Sequence, residues 1–361
     1  MSHRGAPGPK HADLLDNGYF PPQPVEELFV TGLFLLAAAA FLLLRQRVWQ
    51  VSPTSHEGFS AFPFRFLGDK PLGYFVFFPY PLALYCSAIT YGRSRLLGNF
   101  CYDLLLTLTG IAFFLAGSRI TGSDFAAFCG GGLFYAVFAA RQLLGPSIHL
   151  EAYTYFFAAL GLLGVALALE NNSTPGVFAA MLVASLSFWS KLTAREALWP
   201  LALVFFQRGL SAELLAACAA LGLMGVLFLW LLSLAHRHVP APCLFFGLPG
   251  RAEPLKVRLG RFLAYQKHEL ALHYGNAEGF SWGNILRQAR AELHKNLGVF
   301  FPVAGLFLAH LTLGAVPWET KALLLLFLAI TATNCLTRLS FTFLSWCVGV
   351  FPLGLGAGLA L

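Results

Sequence analysis

The sequence predicts an all-α protein, a polytopic transmembrane helical bundle of about ten spans, and three observations carry that prediction. The 361 residues are 57% hydrophobic and only 11% charged, with a mean hydropathy of +0.67, whereas soluble domains run at about 25% charged. Apolar runs such as Leu28 to Leu44, Ala152 to Leu169, Leu214 to Ala235 and Ala322 to Ile330 approach or reach the roughly 20 residues that cross a bilayer core. Helices, which satisfy every backbone group internally, are then the way through lipid.

The elements follow in order. Residues 1–25 form a polar tail without the basic, apolar and small-residue layout of a cleaved signal, so Leu28 to Leu44 is a retained first helix. Everything from 26 to 361 reads as one multi-pass membrane domain. A loop, Arg45 to Leu72, leads to Gly73 to Tyr91, an aromatic stretch broken by Pro79 and Pro81. Two prolines interrupt a helix, and aromatic rings suit the headgroup level, so this stretch is either a span or a half-inserted interfacial element.

Further spans are expected at Phe100 to Ser118, Phe125 to Ala140, Ala152 to Leu169, Val177 to Ser190, Ala197 to Phe206, Ala212 to Ala235, Leu297 to Gly314, Lys321 to Leu336 and Phe341 to Leu361. A long polar loop, 236–296, separates the last three, and within it Leu255 to Leu272 and Trp282 to Leu293 read as surface helices. No internal period of a repeat array is visible.

Seven cysteines lie mostly inside apolar runs, and no two are spaced as CxxC. Neither a disulfide framework nor a zinc site is indicated, and the cysteines read as packing residues. The formal charge of +7 sits at helix ends and in loops, where anionic headgroups attract it, so membrane lipids rather than nucleic acid are the expected partners.

Three clusters and one lone acid carry candidate chemistry. Ser52-Pro-Thr-Ser-His-Glu-Gly58 places Glu57 beside His56 just after the first span, and Gly68-Asp-Lys-Pro-Leu-Gly-Tyr74 follows with Lys70 and Tyr74. A carboxylate and a lysine at the bilayer surface can hold a polar acceptor and a lipid phosphate. The bland reading is a solvated acid and a lysine facing headgroups. Arg141-Gln-Leu-Leu-Gly-Pro-Ser-Ile-His-Leu-Glu151 gathers Arg141, His149 and Glu151 at the mouth of a span, where ionisable groups face a cavity or an interface. The competing account of Glu151 is an acid at a helix N-terminus.

The third cluster, Ser187 to Glu196, sets Lys191 and Arg195 one helical turn apart, suited either to a phosphate or to snorkelling. Asp103 falls inside an apolar run and needs a partner there, for which Arg93 or Arg95 is near in sequence. The tandem sequon Asn171-Asn172-Ser173-Thr174 carries no functional weight.

Taken in order, these clusters resemble the GT-C membrane glycosyltransferases of the protein mannosyltransferase-like and lipid A aminoarabinose transferase-like family. In that family an acid follows the first span, then a Lys-Pro-Pro-Leu-x-Tyr stretch and an Arg-Leu pair, then a second acid before a span and a Leu-(Thr/Ser)-Lys after the next. Glu57, Lys70-Pro71-Leu72-Gly73-Tyr74, Arg95-Leu96, Glu151 and Trp189-Ser190-Lys191 stand in those places. The resemblance covers roughly residues 26–207. It departs from the pattern at His56, where the family has Asp, and after Pro71, where the second proline is missing.

The resemblance implies a GT-C-like fold and an inverting sugar transfer from a polyprenyl-phosphate-linked donor to a lipid, glycan or protein acceptor, on the non-cytoplasmic face of a bacterial inner membrane. Glu57 is then the base and Glu151 a second acid. Lys70, Lys191, Arg195 and Arg141 bind the donor phosphate, and His56, His149 and Tyr74 orient the acceptor. No cofactor is implied, and a divalent metal is left open. Two other classes stay open beside it. A transporter or lipid flippase would rest on Asp103 and the Gly130-Gly131-Gly132 run, and a non-catalytic membrane subunit would use the clusters as headgroup anchors.

Overall fold

The computed structural model describes residues 24–49, 94–142, 151–190, 195–238, 305–311, 317–337 and 343–361, together with residues 82, 86, 89, 90, 256, 257, 275, 276, 279 and 280. Among them helix accounts for 93%. The helices are α1 (Pro24–Arg45), α2 (Arg95–Thr121), α3 (Asp124–Gln142), α4 (Glu151–Glu170), α5 (Thr174–Ser190), α6 (Trp199–Arg208), α7 (Ala212–His238), α8 (Trp318–Thr337) and α9 (Phe343–Ala360), with 3-10 turns at Gln46–Val48 and Arg195–Leu198. Residues 305–311 are also helical. In the polar loop, β1 (Gly275–Asn276) and β2 (Gly279–Phe280) pair antiparallel, a hairpin not foreseen in the sequence. The surface helices expected there lie outside the described residues apart from 256 and 257.

Four of these helices, α1, α2, α4 and α7, contain stretches long and apolar enough to cross a membrane, and α5 and the end of α9 are shorter apolar helices. The chain is therefore a helical membrane protein. The span expected at Ala197 to Phe206 takes the form of α6, ten residues long, which at 1.5 Å per residue reaches only about half way across a bilayer.

Side-chain pairs fix the direction of each helix. Phe34 of α1 stacks on Phe114 of α2 at 4.4 Å, while Arg45 meets Asp103, so α1 and α2 run antiparallel. At the end of α2, Gly122 adopts φ 65°, a left-handed conformation that glycine enters without steric cost and that lets the chain reverse. In the return helix α3, Tyr135 donates to the Thr107 carbonyl at 2.5 Å, its ring lying over Gly110, where any Cβ would collide with it.

Helix α4 runs parallel to α2, as the pair Arg119–Glu170 at their C-terminal ends requires. It forms a hairpin with α5 in which Gly161 faces Ala184 and Gly164 faces Ala180. Small residues at both positions let the two backbones approach, which is how apolar helices gain dispersion energy when lipid offers no hydrophobic drive. Helix α6 turns back, its Arg208 donating to the Leu169 carbonyl at 2.6 Å, and α7 departs beside it, with Thr174 donating to Glu213 at 3.2 Å.

Helices α8 and α9 close the core. Trp199, fully buried, stacks on Phe327 of α8 at 5.0 Å and donates its indole N–H to the Phe327 carbonyl at 3.2 Å. Phe351 of α9 stacks on Phe113 at 4.4 Å. The glycines Gly354 and Gly358 sit against the backbone of α3 at Cys129, Gly130 and Ala126.

Candidate functional site

These directions give the bundle two unlike ends. The turns 122–123, 171–173 and 209–211 lie at one end. At the other α1 stops, α2 starts, α3 stops, α4 starts and α5 stops, and the long connections leave from there. Ser187 of α5 donates to the Thr154 carbonyl of α4 at 2.9 Å, holding those last two termini level.

Most of the residues expected in the site lie in the connections at this end. His56, Glu57, Lys70, Tyr74, His149 and Lys191 lie outside the described residues, as does nearly all of Gly73 to Tyr91. Arg141 occupies the last turn of α3, Glu151 is the first residue of α4 and Arg195 opens the 3-10 turn. Because α1 ends and α2 begins at the same end, the chain between them returns to the side it left.

The described part of this end is built around Asp103. The sequence suggested Arg93 or Arg95 as its partner; Arg93 and the Arg95 side chain lie outside the described residues, and the described cation is Arg45, whose Nε lies 2.9 Å from Asp103 Oδ1 with both side chains almost wholly buried. The second oxygen accepts from the indole N–H of Trp49 at 2.7 Å. Asn99, one turn before Asp103, donates to the Trp49 carbonyl at 3.0 Å, and the Trp49 ring packs edge-on against Phe100 at 5.1 Å. The antiparallel packing of α1 on α2 brings in this cation from 58 positions away. An isolated charge in a low-dielectric interior is costly, and a bonded pair largely offsets that cost.

A second acid was quoted in the sequence without a role. Glu196 is fully buried in the 3-10 turn that packs against α4, α5, α6 and α8. Buried beside it in the same region are Thr154, Ser187 and Ser190. The hydroxyls of Thr154 and Ser190 make no hydrogen bond among the described residues, whereas Ser187 is used by the α4–α5 contact. The signal available in the sequence was the setting of Glu196, an acid followed directly by Ala-Leu-Trp-Pro, where solvation is poor.

The two features that favoured transport have local explanations. Both carboxylate oxygens of Asp103 are held in the contact just described. Gly130 packs under Phe351 and Leu355 and Gly131 under Phe34, inside the uninterrupted helix α3, so the glycine run is a close-packing surface. Among the described residues no group of three His, Cys, Asp or Glu is arranged to hold a metal ion, and Cys86, Cys101, Cys129 and Cys218 are free thiols. Comparison with family models, curated proteins and solved structures finds no match.

Proposed function

We propose that the chain is an inverting membrane glycosyltransferase of GT-C-like fold that takes a sugar from a polyprenyl-phosphate donor and passes it to a lipid, glycan or protein acceptor. One observation supports this reading above the others: the segments bearing Glu57 and Lys70, His149, and Lys191 are attached at Arg45, Gln142, Glu151 and Ser190, all at one end of the bundle. Connections far apart in sequence thereby start from one end of the bundle.

The chemistry suits that surface. As the acceptor oxygen attacks the anomeric carbon, its proton passes to Glu57, the bond from that carbon to the phosphate oxygen breaks, and the lipid phosphate leaves as an anion. Lys70 and Lys191, with Arg141 and Arg195 behind them, stabilise that anion where the dielectric is low and fixed charges act strongly. Glu151 orients the acceptor, aided by His56, His149 and Tyr74. The donor tail stays in the bilayer, and the family resemblance suggests a bacterial inner membrane with the site on its non-cytoplasmic face.

Purified protein incubated with a panel of polyprenyl-phosphate sugars is expected to release the free lipid phosphate from at least one of them. Release from none, with folded protein and intact donors, would remove the transferase reading and leave the transporter or lipid flippase and the non-catalytic membrane subunit in its place.

A further inference from the structure

The junction where α4 begins and α5 ends holds more buried polar groups than its hydrogen bonds use. Thr154, Ser187, Ser190 and Glu196 are all withdrawn from solvent. Ser187 donates to the Thr154 carbonyl at 2.9 Å, but the hydroxyls of Thr154 and Ser190 make no hydrogen bond among the described residues. A hydroxyl stranded in an apolar interior is unfavourable, and two of them in one place call for something that both can ligate.

Their placement follows from the helix pair. Helices α4 and α5 run antiparallel, with Gly161 against Ala184 and Gly164 against Ala180. Along a helix a carbonyl points toward the C-terminus and a side chain leans toward the N-terminus. Ser187, bonded to the Thr154 carbonyl, therefore lies on one side of Thr154, and the Thr154 hydroxyl leans the other way. Ser190, one turn beyond Ser187, lies on that same side, so the two hydroxyls are level across the α4–α5 contact. The 3-10 turn that carries Glu196 packs against both helices and brings a carboxylate to the junction. Ser190 is also the last residue of α5, at the end where a helix has carbonyls to spare and its dipole is negative.

We propose that this junction binds a monovalent alkali-metal cation, ligated by the Thr154 and Ser190 hydroxyl oxygens and the Glu196 carboxylate and favoured by the C-terminal end of α5. Every donor is a hard oxygen, which suits an alkali ion and disfavours zinc or copper. A single carboxylate balances a single positive charge, so the complex is neutral in a setting where excess charge is costly. The same components, a helix C-terminus and side-chain oxygens inside a bundle, hold sodium in membrane proteins with interrupted helices. The ion ties the start of α4, the end of α5 and the turn 195–198 together.

The test is thermal unfolding of the full chain in lipid nanodiscs, in sodium, potassium or choline chloride at equal ionic strength, and it needs no glycosyl donor. A bound ion stabilises the folded chain by mass action. The melting temperature is therefore expected to climb with sodium or potassium and then level off, and to stay flat in choline, whose quaternary ammonium is too bulky for such a ligand shell. Thr154→Val and Ser190→Ala each remove one ligand and no hydrogen bond among the described residues, so both should fold, with a midpoint in choline close to the wild-type value. Each is expected to raise the half-saturating ion concentration by roughly tenfold or more, at least what loss of an outer-shell partner costs a metal site, and Glu196→Gln to abolish the response. Equal midpoints in all three salts would overturn the assignment, and so would a sodium or potassium response that survives unchanged in Thr154→Val and Ser190→Ala. Hydroxyls that are merely stranded give a third result that also overturns it: Thr154→Val then equals or exceeds the wild-type midpoint in every salt, sodium and potassium included.

Discussion

At one end of the bundle the chain turns in two or three residues, and every turn is closed by its own local bonds; at the other the connections between helices include the four residues 191–194 and the 46 between Val48 and Arg95. The short-turn end uses Gly122 at φ 65°, Asn172 at φ 48° and Gly209 at φ 59° to reverse direction, and exposed polar groups such as Arg119 and Glu170 latch one hairpin to the next. The long-loop end instead spends buried charge: Arg45 and Asp103 inside the helix pair, Glu196 inside a turn among four helices. Exposed latches are inexpensive and weak, whereas buried ionic groups are costly to desolvate and are retained where position matters. On the proposed reading, the difference separates an end that closes the fold from an end that carries chemistry, a division seen wherever variable connections sit on a rigid scaffold.

The comparison breaks most completely if the ends are wrongly drawn, and that outcome is all-or-none. In a cysteine-free background, Ser55→Cys and Ser147→Cys should react with a membrane-impermeant maleimide from the same side, and Ser173→Cys only from the other. Ser55 and Ser147 labelling from opposite sides would separate Glu57 from Glu151 and end the idea of a common site. The absolute side matters too. The short connections at the long-loop end carry Lys191, with Arg141 and Arg195 at their borders, a bias that in a protein without anionic substrate would mark the cytoplasmic face. Labelling of Ser147 from outside would mean those cations are there for a phosphate.

Next in size is the base. Glu57→Gln is expected to cut transfer by about a hundred- to ten-thousandfold, the usual contribution of general base catalysis, with donor binding and melting temperature nearly unchanged. Retention of full activity by the glutamine variant on a verified substrate would make Glu57 a loop acid and move the role to Glu151.

Much of the scaffold was legible in the sequence, because apolar runs report spans directly. Leu28 to Leu44 became α1, Ala152 to Leu169 became α4 within a residue at each end, and the turn at Gly122 to Ser123 fell where the apolar pattern breaks. What could not be read was pairing across the bundle. Asp103 announced a need for a cation, but hydropathy carries no information on which helix lies beside which, so Arg45 and Trp49 were invisible. Glu196 was hidden for a related reason, since its burial depends on α8 arriving from 120 positions later in the chain. The residues of the proposed site itself were named from their order alone, and their test is chemical.

Both ends rest on one core, and Trp199 sits at its centre. Trp199→Ala removes a fully buried indole, its stacking on Phe327 and Phe351 and its bond to the Phe327 carbonyl. A loss of about 3–5 kcal/mol is expected, read as a lowered midpoint in denaturant titration of the detergent-solubilised protein. Any fall in turnover should follow the folded fraction, with donor KM unchanged in the molecules that remain folded. A specific change in KM would instead place Trp199 at the site.

The smallest effect belongs to the short-turn end, and it is the one that sharpens the contrast. Arg119 and Glu170 form an ion pair at 2.5 Å, but their side chains are 47% and 42% exposed. Water and salt screen such a pair, and holding two long side chains in one geometry costs entropy, so exposed pairs contribute only about 0–1 kcal/mol. Arg119→Ala should therefore shift the unfolding midpoint by no more than that, with the shift shrinking at high salt, and should leave transfer at its wild-type rate. Asp103→Asn removes a carboxylate from a buried ion pair at the other end and should lower the midpoint by several times as much, about 3–5 kcal/mol, because its environment excludes water. Equal effects of the two substitutions on the midpoint would mean that the ends do not differ in kind.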